Sequence, residues 1–455
     1  MVLIKSISGI RGTLGGVQGD DLTDKDVRDF VSSYALILKS EYKNVLVVVG
    51  RDARQSGKRF IKIVIETLLE FGVNVLDIDL TTTPTIEVAV IDKQAQGGIM
   101  ISASHNDEQW NALKFFNSCG EFISKETGNQ LLERVDKGFL HNTSKEKGIY
   151  SKEDFIIKHI DFIKKLDLVD IKKIKSSNFK VVVDGINSTG GVAVPLLLHE
   201  LGVSDIVKIN CKPNGDFAHN PEPLSKNLKE LSKAVVDYDA DLGIAVDPDV
   251  DRLAIVSEDG SFFGEEFSLI SCADYVLSKK SGSVVSNLSS SKYLKELANS
   301  RKCDYHYSAV GEVNVVEKMK EVNAVIGGEG NGGVILPDLH YGRDALVGVA
   351  LFLTFLSQEG VKASILRKRY PFYFMIKDKV NLSNDVSIDD VFCKLKKTYN
   401  NCTIIDIDGL KIEFDNEWLH LRKSNTEPII RLYGEGEDEL KLKKLIQKTK
   451  SIIYE

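Results

Sequence analysis

The sequence predicts a multidomain α/β protein that ends in a smaller α+β domain, and three observations carry that reading. Apolar, strand-like stretches run straight into polar loops bearing glycine or aspartate at 44–52 (Asn-Val-Leu-Val-Val-Val-Gly-Arg-Asp), 180–185 (Lys-Val-Val-Val-Asp-Gly) and 242–249 (Leu-Gly-Ile-Ala-Val-Asp-Pro-Asp). Buried central strands have this pattern. Helical patterns alternate with them, as in Ile156, Ile160 and Ile163 and in the segment from Val192 to Leu201. That alternation is the mark of α/β domains, whose chemistry sits at the C-terminal ends of the strands. The 455 residues make three or four domains at about 100–200 residues each.

Polar or charged stretches such as Ser144-Lys-Glu-Lys-Gly and Arg367-Lys-Arg interrupt the pattern and place boundaries near 150, 258 and 368. The expected domains are therefore 1–150, 151–258, 259–368 and 369–455. Beyond 369 the chain reads as strands (Phe372 to Ile376, Trp418 to Leu421, Ile429 to Tyr433) followed by a lysine-rich amphipathic helix over 437–453, a smaller α+β domain.

Composition narrows the function classes. A net charge of −7 from 59 Lys plus Arg against 66 Asp plus Glu argues against nucleic acid or an anionic membrane, both of which favour a basic face. An anionic ligand must then meet locally concentrated arginines. The six cysteines (Cys119, Cys211, Cys272, Cys303, Cys393, Cys402) have no metal-ligand spacing and suit reduced thiols. No basic, then apolar, leader opens the chain and no run reaches the roughly 18 apolar residues of a membrane span. The expectation is a cytoplasmic protein with a small-molecule substrate and no implied protein partner.

Four segments carry chemistry. In Asp247-Pro-Asp249-Val-Asp251-Arg252 three carboxylates at every second position project to one side of an extended chain and repel unless a hard cation joins them, for which magnesium is suited. Asp247, Asp249, Asp251 and Glu258 also fall at positions 1, 3, 5 and 12 of a calcium loop. Arg252 in place of the turn glycine, and strand-like flanks, reject that reading; a solvated acidic turn is the remaining alternative.

In Gly97-Gly-Ile-Met-Ile-Ser-Ala-Ser104-His105-Asn106 an apolar run delivers a hydroxyl to a strand end. Neighbours on an extended chain point apart, so Ser104 and His105 alone make a turn more readily than a dyad. Lys114 nearby offers a cation or simply a surface lysine. The segment from Arg422 through Ser424, Asn425 and Thr426 to Arg431 brings guanidinium forks, hydroxyls and loop amides, as a phosphate dianion requires; alone it is also a polar turn. Gly327-Gly-Glu329-Gly-Asn331-Gly-Gly sets a carboxylate and an amide on a glycine-rich loop able to bind vicinal hydroxyls, without the lysine of a P-loop.

Taken in this order, from Gly9-Ile-Arg11-Gly12 to Arg431, these segments resemble the α-D-phosphohexomutase family over nearly the whole chain. The resemblance implies three similar α/β domains with mixed sheets and a smaller C-terminal domain around a central cleft. It implies a phosphoserine at Ser104, and magnesium held by Asp247, Asp249 and Asp251 together with Ser104. Glu329 and Asn331 would read sugar hydroxyls, and Arg252, Arg422, Ser424, Asn425, Thr426 and Arg431 would hold substrate. Gly50-Arg51-Asp-Ala-Arg54-Gln-Ser56-Gly, Thr83-Pro-Thr85 and Gly215-Asp-Phe-Ala-His-Asn-Pro-Glu-Pro would be scaffold and cleft edge.

Three departures stand out. Asn106-Asp107 and Asn111-Ala112 replace Asn-Pro and Asn-Gly, and Asn331-Gly332-Gly333 replaces a frequent Ser-Gly-His. The role of that histidine does not carry over, although His340, a few residues on, is a candidate for the same space.

The implied reaction moves phosphate between the 6- and 1-hydroxyls of a hexose monophosphate through a hexose 1,6-bisphosphate. Arg11, His105 and Lys114 would assist in neutralising charge, with Lys114, its pKa lowered by burial and neighbouring cations, a candidate for proton transfer. The glycine-rich loop and the Gly342-Arg343-Asp-Ala stretch are most similar to members acting on glucosamine phosphates; glucose and mannose phosphates are the alternatives. A catalytically silent sugar-phosphate-binding protein would lack the serine or an aspartate, and neither is lacking here. A magnesium-dependent phosphatase would release free phosphate at a rate matching isomer formation.

Overall fold

The computed structural model describes residues 3–6, 9–17, 19–138, 144–381, 387–423 and 429–454. The apolar stretches read from sequence form strands Leu46–Arg51, Lys180–Asp184 and Leu242–Val246, and the helical patterns form Ile156–Lys164 and Gly190–Glu200. Three mixed sheets and one antiparallel sheet result.

The three mixed sheets repeat one order of four strands. In the first it is Trp110–Phe116, Gly97–Ile101, Leu46–Arg51, Asn74–Leu80; in the second, Leu253–Ser257, Leu242–Val246, Lys180–Asp184, Asp205–Ile209. The third runs Gly333–Ile335, Ile326–Glu329, Val284–Asn287, Tyr305–Ser308. In each, the inner strands are parallel and the first pair is an antiparallel hairpin. The hairpin loops 102–109, 247–252 and 330–332 are the serine, aspartate and glycine-rich segments. Each therefore leaves the C-terminal end of an inner parallel strand, where α/β sheets bind ligands.

The first sheet gains Leu3–Ser6 and Gly9–Thr13 on one edge and Tyr150–Lys152 on the other. That last strand straddles the boundary expected at 150. The C-terminal sheet is antiparallel, in the order Phe374–Asn381, Ile429–Gly436, Glu417–Lys423, Leu410–Glu413, Thr403–Ile405, and helix Glu439–Tyr454 packs on it.

The middle two domains do not keep separate cores. One apolar cluster runs from Ile156 to Tyr370 through both. Its centre is helix Ala345–Glu359, in which every residue from Ala345 to Leu356 is buried, the signature of a helix enclosed on all sides. The C-terminal domain docks differently, by polar contacts: Lys292 N donates to Glu435 (2.8 Å), Val310 N to Asp408 (2.9 Å) and Lys411 Nζ to Leu288 O (2.9 Å). Among the described residues no helix is long and apolar enough to cross a membrane.

Candidate active site

Ser104 sits just past strand Gly97–Ile101 in a turn, with φ +49°, a left-handed conformation unusual for a residue with a side chain. The chain is therefore not extended here, and the expectation that Ser104 and His105 point apart fails: Ser104 Oγ lies 3.3 Å from His105 Nδ1 and donates to Asp247 Oδ2 at 2.6 Å. Arg54 holds the loop from behind. Its guanidinium donates to the carbonyls of Ser104 (2.6 Å), Asn106 (2.6 Å), Asp107 (2.6 Å) and Trp110 (2.9 Å), and its Nε to Asp52 (3.1 Å), all buried or nearly so. The stretch read as scaffold is thus a clamp on the serine loop.

The three aspartates converge, but by a turn instead of strand alternation. Val250 at the apex has φ +64°, a strained geometry for a β-branched side chain, and the turn brings ligand oxygens of Asp247, Asp249 and Asp251 within 4.8 Å of one another, all fully buried. Asp247 Oδ1 accepts from the amides of Asp251 and Arg252 (3.1 and 3.2 Å). Burial, then Asp251 and Asp249, hold the Asp247 carboxyl well above its usual range.

Asp249 Oδ1 and Asp251 Oδ1 are buried without a hydrogen-bond donor among the described residues. Orphaned buried carboxylate oxygens are costly. An all-oxygen set with two spare acceptors fits a hard cation.

Lys114, on strand Trp110–Phe116, reaches these carboxylates: Nζ lies 2.6 Å from Asp249 Oδ2 and 3.4 Å from Asp251 Oδ2. Burial works to lower its pKa, but the two carboxylates outweigh it and raise it. The lowered pKa expected from the sequence is thus corrected, because the neighbours are anions. His105 goes the other way: burial, then Arg252, with Arg11 and Arg343 adding, push it down to about 2 against the pull of Asp251, so the imidazole is neutral and adds no positive charge.

The cations come from arginines. Arg11 donates to Asn106 Oδ1 (3.0 Å), and burial, Arg252 and Arg431 all lower its pKa. Arg252 stands 3.7 Å from Glu222.

A cleft of about 500 Å³ is lined by Arg11, Ser104, His105, Lys114, Arg252, Glu312, Asn314, Glu329 and Arg343 among others. Glu329 Oε1 accepts from Asn287 (2.8 Å) and Gly311 N (3.1 Å), and Oε2 from Arg343 (2.7 Å). Asn331 is not among the lining residues; its Oδ1 accepts from Gly333 N at 3.3 Å. The loop's glycines serve close approach: a Cβ on Gly333 would fall 2.3 Å from Arg343 Cδ.

Arg343 is named from the sequence only within a stretch similar to members acting on glucosamine phosphates, and is given no site role there. Its guanidinium donates to Asp251 (2.8 Å), Glu329 (2.7 Å) and Glu312 (3.1 Å), joining the aspartate turn to the opposite wall. An arginine and an aspartate just before an apolar helix were its only signal. Thr83, read from sequence as scaffold and cleft edge, holds the aspartate turn: its amide donates to Asp249 O (2.9 Å) and its hydroxyl to the Asp249 carboxylate. His340, the candidate for the missing loop histidine, is corrected outright. It is buried between Glu87 and Asp344 (3.1 and 3.3 Å) and does not line the cleft.

In the C-terminal domain Lys379, Arg431 and Arg422 are successive cross-strand partners over three strands. Like charges directly opposite are destabilising, so the row suits an anion. Arg422 Nε meets Asp408 at 2.8 Å. Ser424, Asn425 and Thr426 lie outside the described residues.

The models of the phosphoglucomutase/phosphomannomutase family match in sequence order: α/β/α domain I over 4–141, domain II over 158–260, domain III over 265–373 and the C-terminal domain over 379–450. The chain is 35% identical over 445 residues to a phosphoglucomutase/phosphomannomutase of Thermococcus kodakarensis, covering 96% of each. It is 34% identical to a phosphoglucosamine/phosphogalactosamine mutase of Sulfurisphaera tokodaii, covering 90% of this chain and 92% of the relative. The fold is shared with the crystal structure of a phosphoglucomutase/phosphomannomutase family protein from Burkholderia thailandensis, with a TM-score of 0.85 at 24% identity over 99% of this chain and 97% of that one. With Ser104 and three arginines lining one cleft beside the aspartate turn, the chain belongs to the phosphoglucomutase/phosphomannomutase family, the α-D-phosphohexomutases, and is a mutase of phosphosugars.

Proposed function

We propose that the protein interconverts glucosamine 6-phosphate and glucosamine 1-phosphate through a phosphorylated Ser104 and a glucosamine 1,6-bisphosphate. The observation that carries the reading is the Ser104 hydroxyl 2.6 Å from Asp247, beside two buried carboxylate oxygens that lack donors. Phosphoryl transfer asks mainly for in-line positioning and charge neutralisation.

Asp247, Asp249 and Asp251 would hold magnesium. Bound there, the ion supplies Lewis-acid stabilisation of charge on phosphoryl oxygens. Arg54 fixes the serine loop, Lys114 and Arg11 add positive charge, and neutral His105 orients the Ser104 side chain. A sugar hydroxyl attacks the phosphorus, the bond to Ser104 Oγ breaks, and the hydroxyl proton ends on Ser104 Oγ. The Arg422–Arg431 row holds the other phosphate, in either orientation of the bisphosphate.

The choice of amino sugar is supported by relatives named for glucosamine phosphates. The relatives' names divide between glucosamine and glucose or mannose phosphates. A coupled assay with glucosamine, glucose and mannose 6-phosphates plus trace bisphosphate tests both levels. Glucosamine 6-phosphate should have the largest kcat/KM, and Ser104→Ala should abolish turnover of all three. A larger value for glucose or mannose refutes the amino-sugar choice; an active Ser104→Ala protein refutes the phosphoserine.

A further inference from the structure

Behind the cleft, where the first three domains meet, five side chains form one continuous buried line. Thr85 Oγ1 lies 3.0 Å from His159 Nδ1, His159 Nε2 3.0 Å from Asp344 Oδ2, His340 Nε2 3.3 Å from the same oxygen, and His340 Nδ1 3.1 Å from Glu87 Oε2. All are fully buried or nearly so. Thr85 and Glu87 belong to helix Thr83–Asp92, His159 to helix Ile156–Lys164, and Asp344 caps helix Ala345–Glu359 through its other oxygen. A buried ionic network is a poor source of stability, since apolar residues of the same volume serve as well or better. A fixed geometry between domains is the better-founded use of such a network.

The two ends of the line adjoin the catalytic groups. The helix that carries Thr85 and Glu87 begins at Thr83, whose amide and hydroxyl hold Asp249. Glu87 packs on the backbone just before Arg343: a Cβ on Gly342 would lie 1.8 Å from Glu87 Oε2. Asp344 follows Arg343 directly. Arg343 thus lies between Gly342, on which Glu87 packs, and Asp344, whose carboxylate meets His340, while its own amide donates to Glu312 at 2.9 Å.

We infer that Glu87 and His340 are positioning residues for phosphoryl transfer, holding Arg343 and Thr83 in the places from which they fix Asp251, Glu329 and Asp249. The inference rests on the roles proposed above for those carboxylates. The line leaves the substrate untouched, so its loss acts on the chemical step. Glu87→Gln keeps the shape that fits against Gly342 and removes the carboxyl oxygen that meets His340; His340→Gln is the second variant.

Each should lower kcat about tenfold, a fraction of the roughly hundredfold loss that follows a 1 Å misplacement, with KM within twofold, both measured well below the melting transition, which loss of the buried contact lowers. Combined with Arg343→Lys, Glu87→Gln should add little to the loss caused by Arg343→Lys alone, because both act through one group. A parental kcat in both variants, or losses that multiply in the double variant, overturns the inference. So does stoichiometric transition metal in the purified protein that disappears in His340→Gln, since His159, His340 and Asp344 would then be metal ligands. An inactive Ser104→Ala protein beside a fully active Glu87→Gln protein would sink this inference and leave the proposed reaction standing.

Discussion

Replacing Arg54 by lysine tests whether the clamp behind Ser104 is what makes the serine reactive. Arg54 donates four hydrogen bonds to carbonyls of the loop from Ser104 to Trp110 and a fifth to Asp52. A lysine ammonium has three donors that diverge from one point, so at least two of these acceptors lose their partner. Burial already holds the Asp52 carboxyl above its usual range even with Arg54 beside it, and lysine leaves that charge less well compensated. Breaking such a buried pair costs about 3–5 kcal/mol, consistent with about 1.5–3 kcal/mol for each charge-assisted hydrogen bond lost, bonds that do not add fully. For a unit of this size each kcal/mol is about 2–4 °C, so the transition that unfolds the first domain should fall by roughly 6–20 °C.

Activity measured well below that transition should show kcat reduced about 100-fold, the expected result of a serine displaced by about 1 Å. KM should stay within twofold, because Arg54 is not a lining residue of the cleft. Single-turnover phosphorylation of Ser104 by the bisphosphate should slow by the same factor. An Arg54→Lys protein with parental kcat, or with KM raised and kcat intact, refutes the reasoning.

Two further predictions follow from the charges. Dialysis against a chelator should abolish turnover and lower the melting temperature, with magnesium restoring both, because the aspartate turn then keeps Asp249 Oδ1 and Asp251 Oδ1 buried with no partner on either oxygen; unchanged activity without divalent ions would refute the metal role. Lys411 is fully buried against the rings of Tyr307 and Trp418, and burial lowers its pKa to about 8 from 10.5. For a depressed pKa the stabilising contribution is complete above 10.5 and is lost as pH falls through about 8. Lys411→Met should therefore gain melting temperature relative to the parent as pH falls from 10.5 to 8 and hold that gain below 8, whereas an equal difference at pH 7 and pH 10 would refute the shift.

Much of the site was legible because its residues come in short runs. The Asp247–Arg252 and Ser104–His105 segments need only a few neighbours to declare their chemistry, and the strand-like runs before them fix which end of a sheet they leave. The misreadings share a cause. Period-two alternation placed the aspartates on an extended chain and parted Ser104 from His105, but left-handed turns at Val250 and Ser104 are set by packing around the loops, which no local pattern records. Lys114 was assigned cationic neighbours, but its partners are carboxylates 135 and 137 residues away, which nothing in the chain around it records. The roles of Arg343 and Arg54, named in the sequence only within family-like stretches, escaped for the same reason, since a buried arginine is recognised by what surrounds it.

The sequence by itself determined most of the elements, the four-domain order and the segments that carry the candidate serine, aspartates and arginines, because hydrophobic period and local residue chemistry are properties of contiguous chain. Only the tertiary structure decided that the serine, aspartate and glycine-rich loops are the same hairpin loop repeated in three sheets, and that two domains share a core. It alone decided that Arg343 ties the aspartate turn to the opposite wall and that His340 lies behind the cleft. Those outcomes depend on which distant surfaces exclude water from one another, and burial then sets which charges persist and which are suppressed.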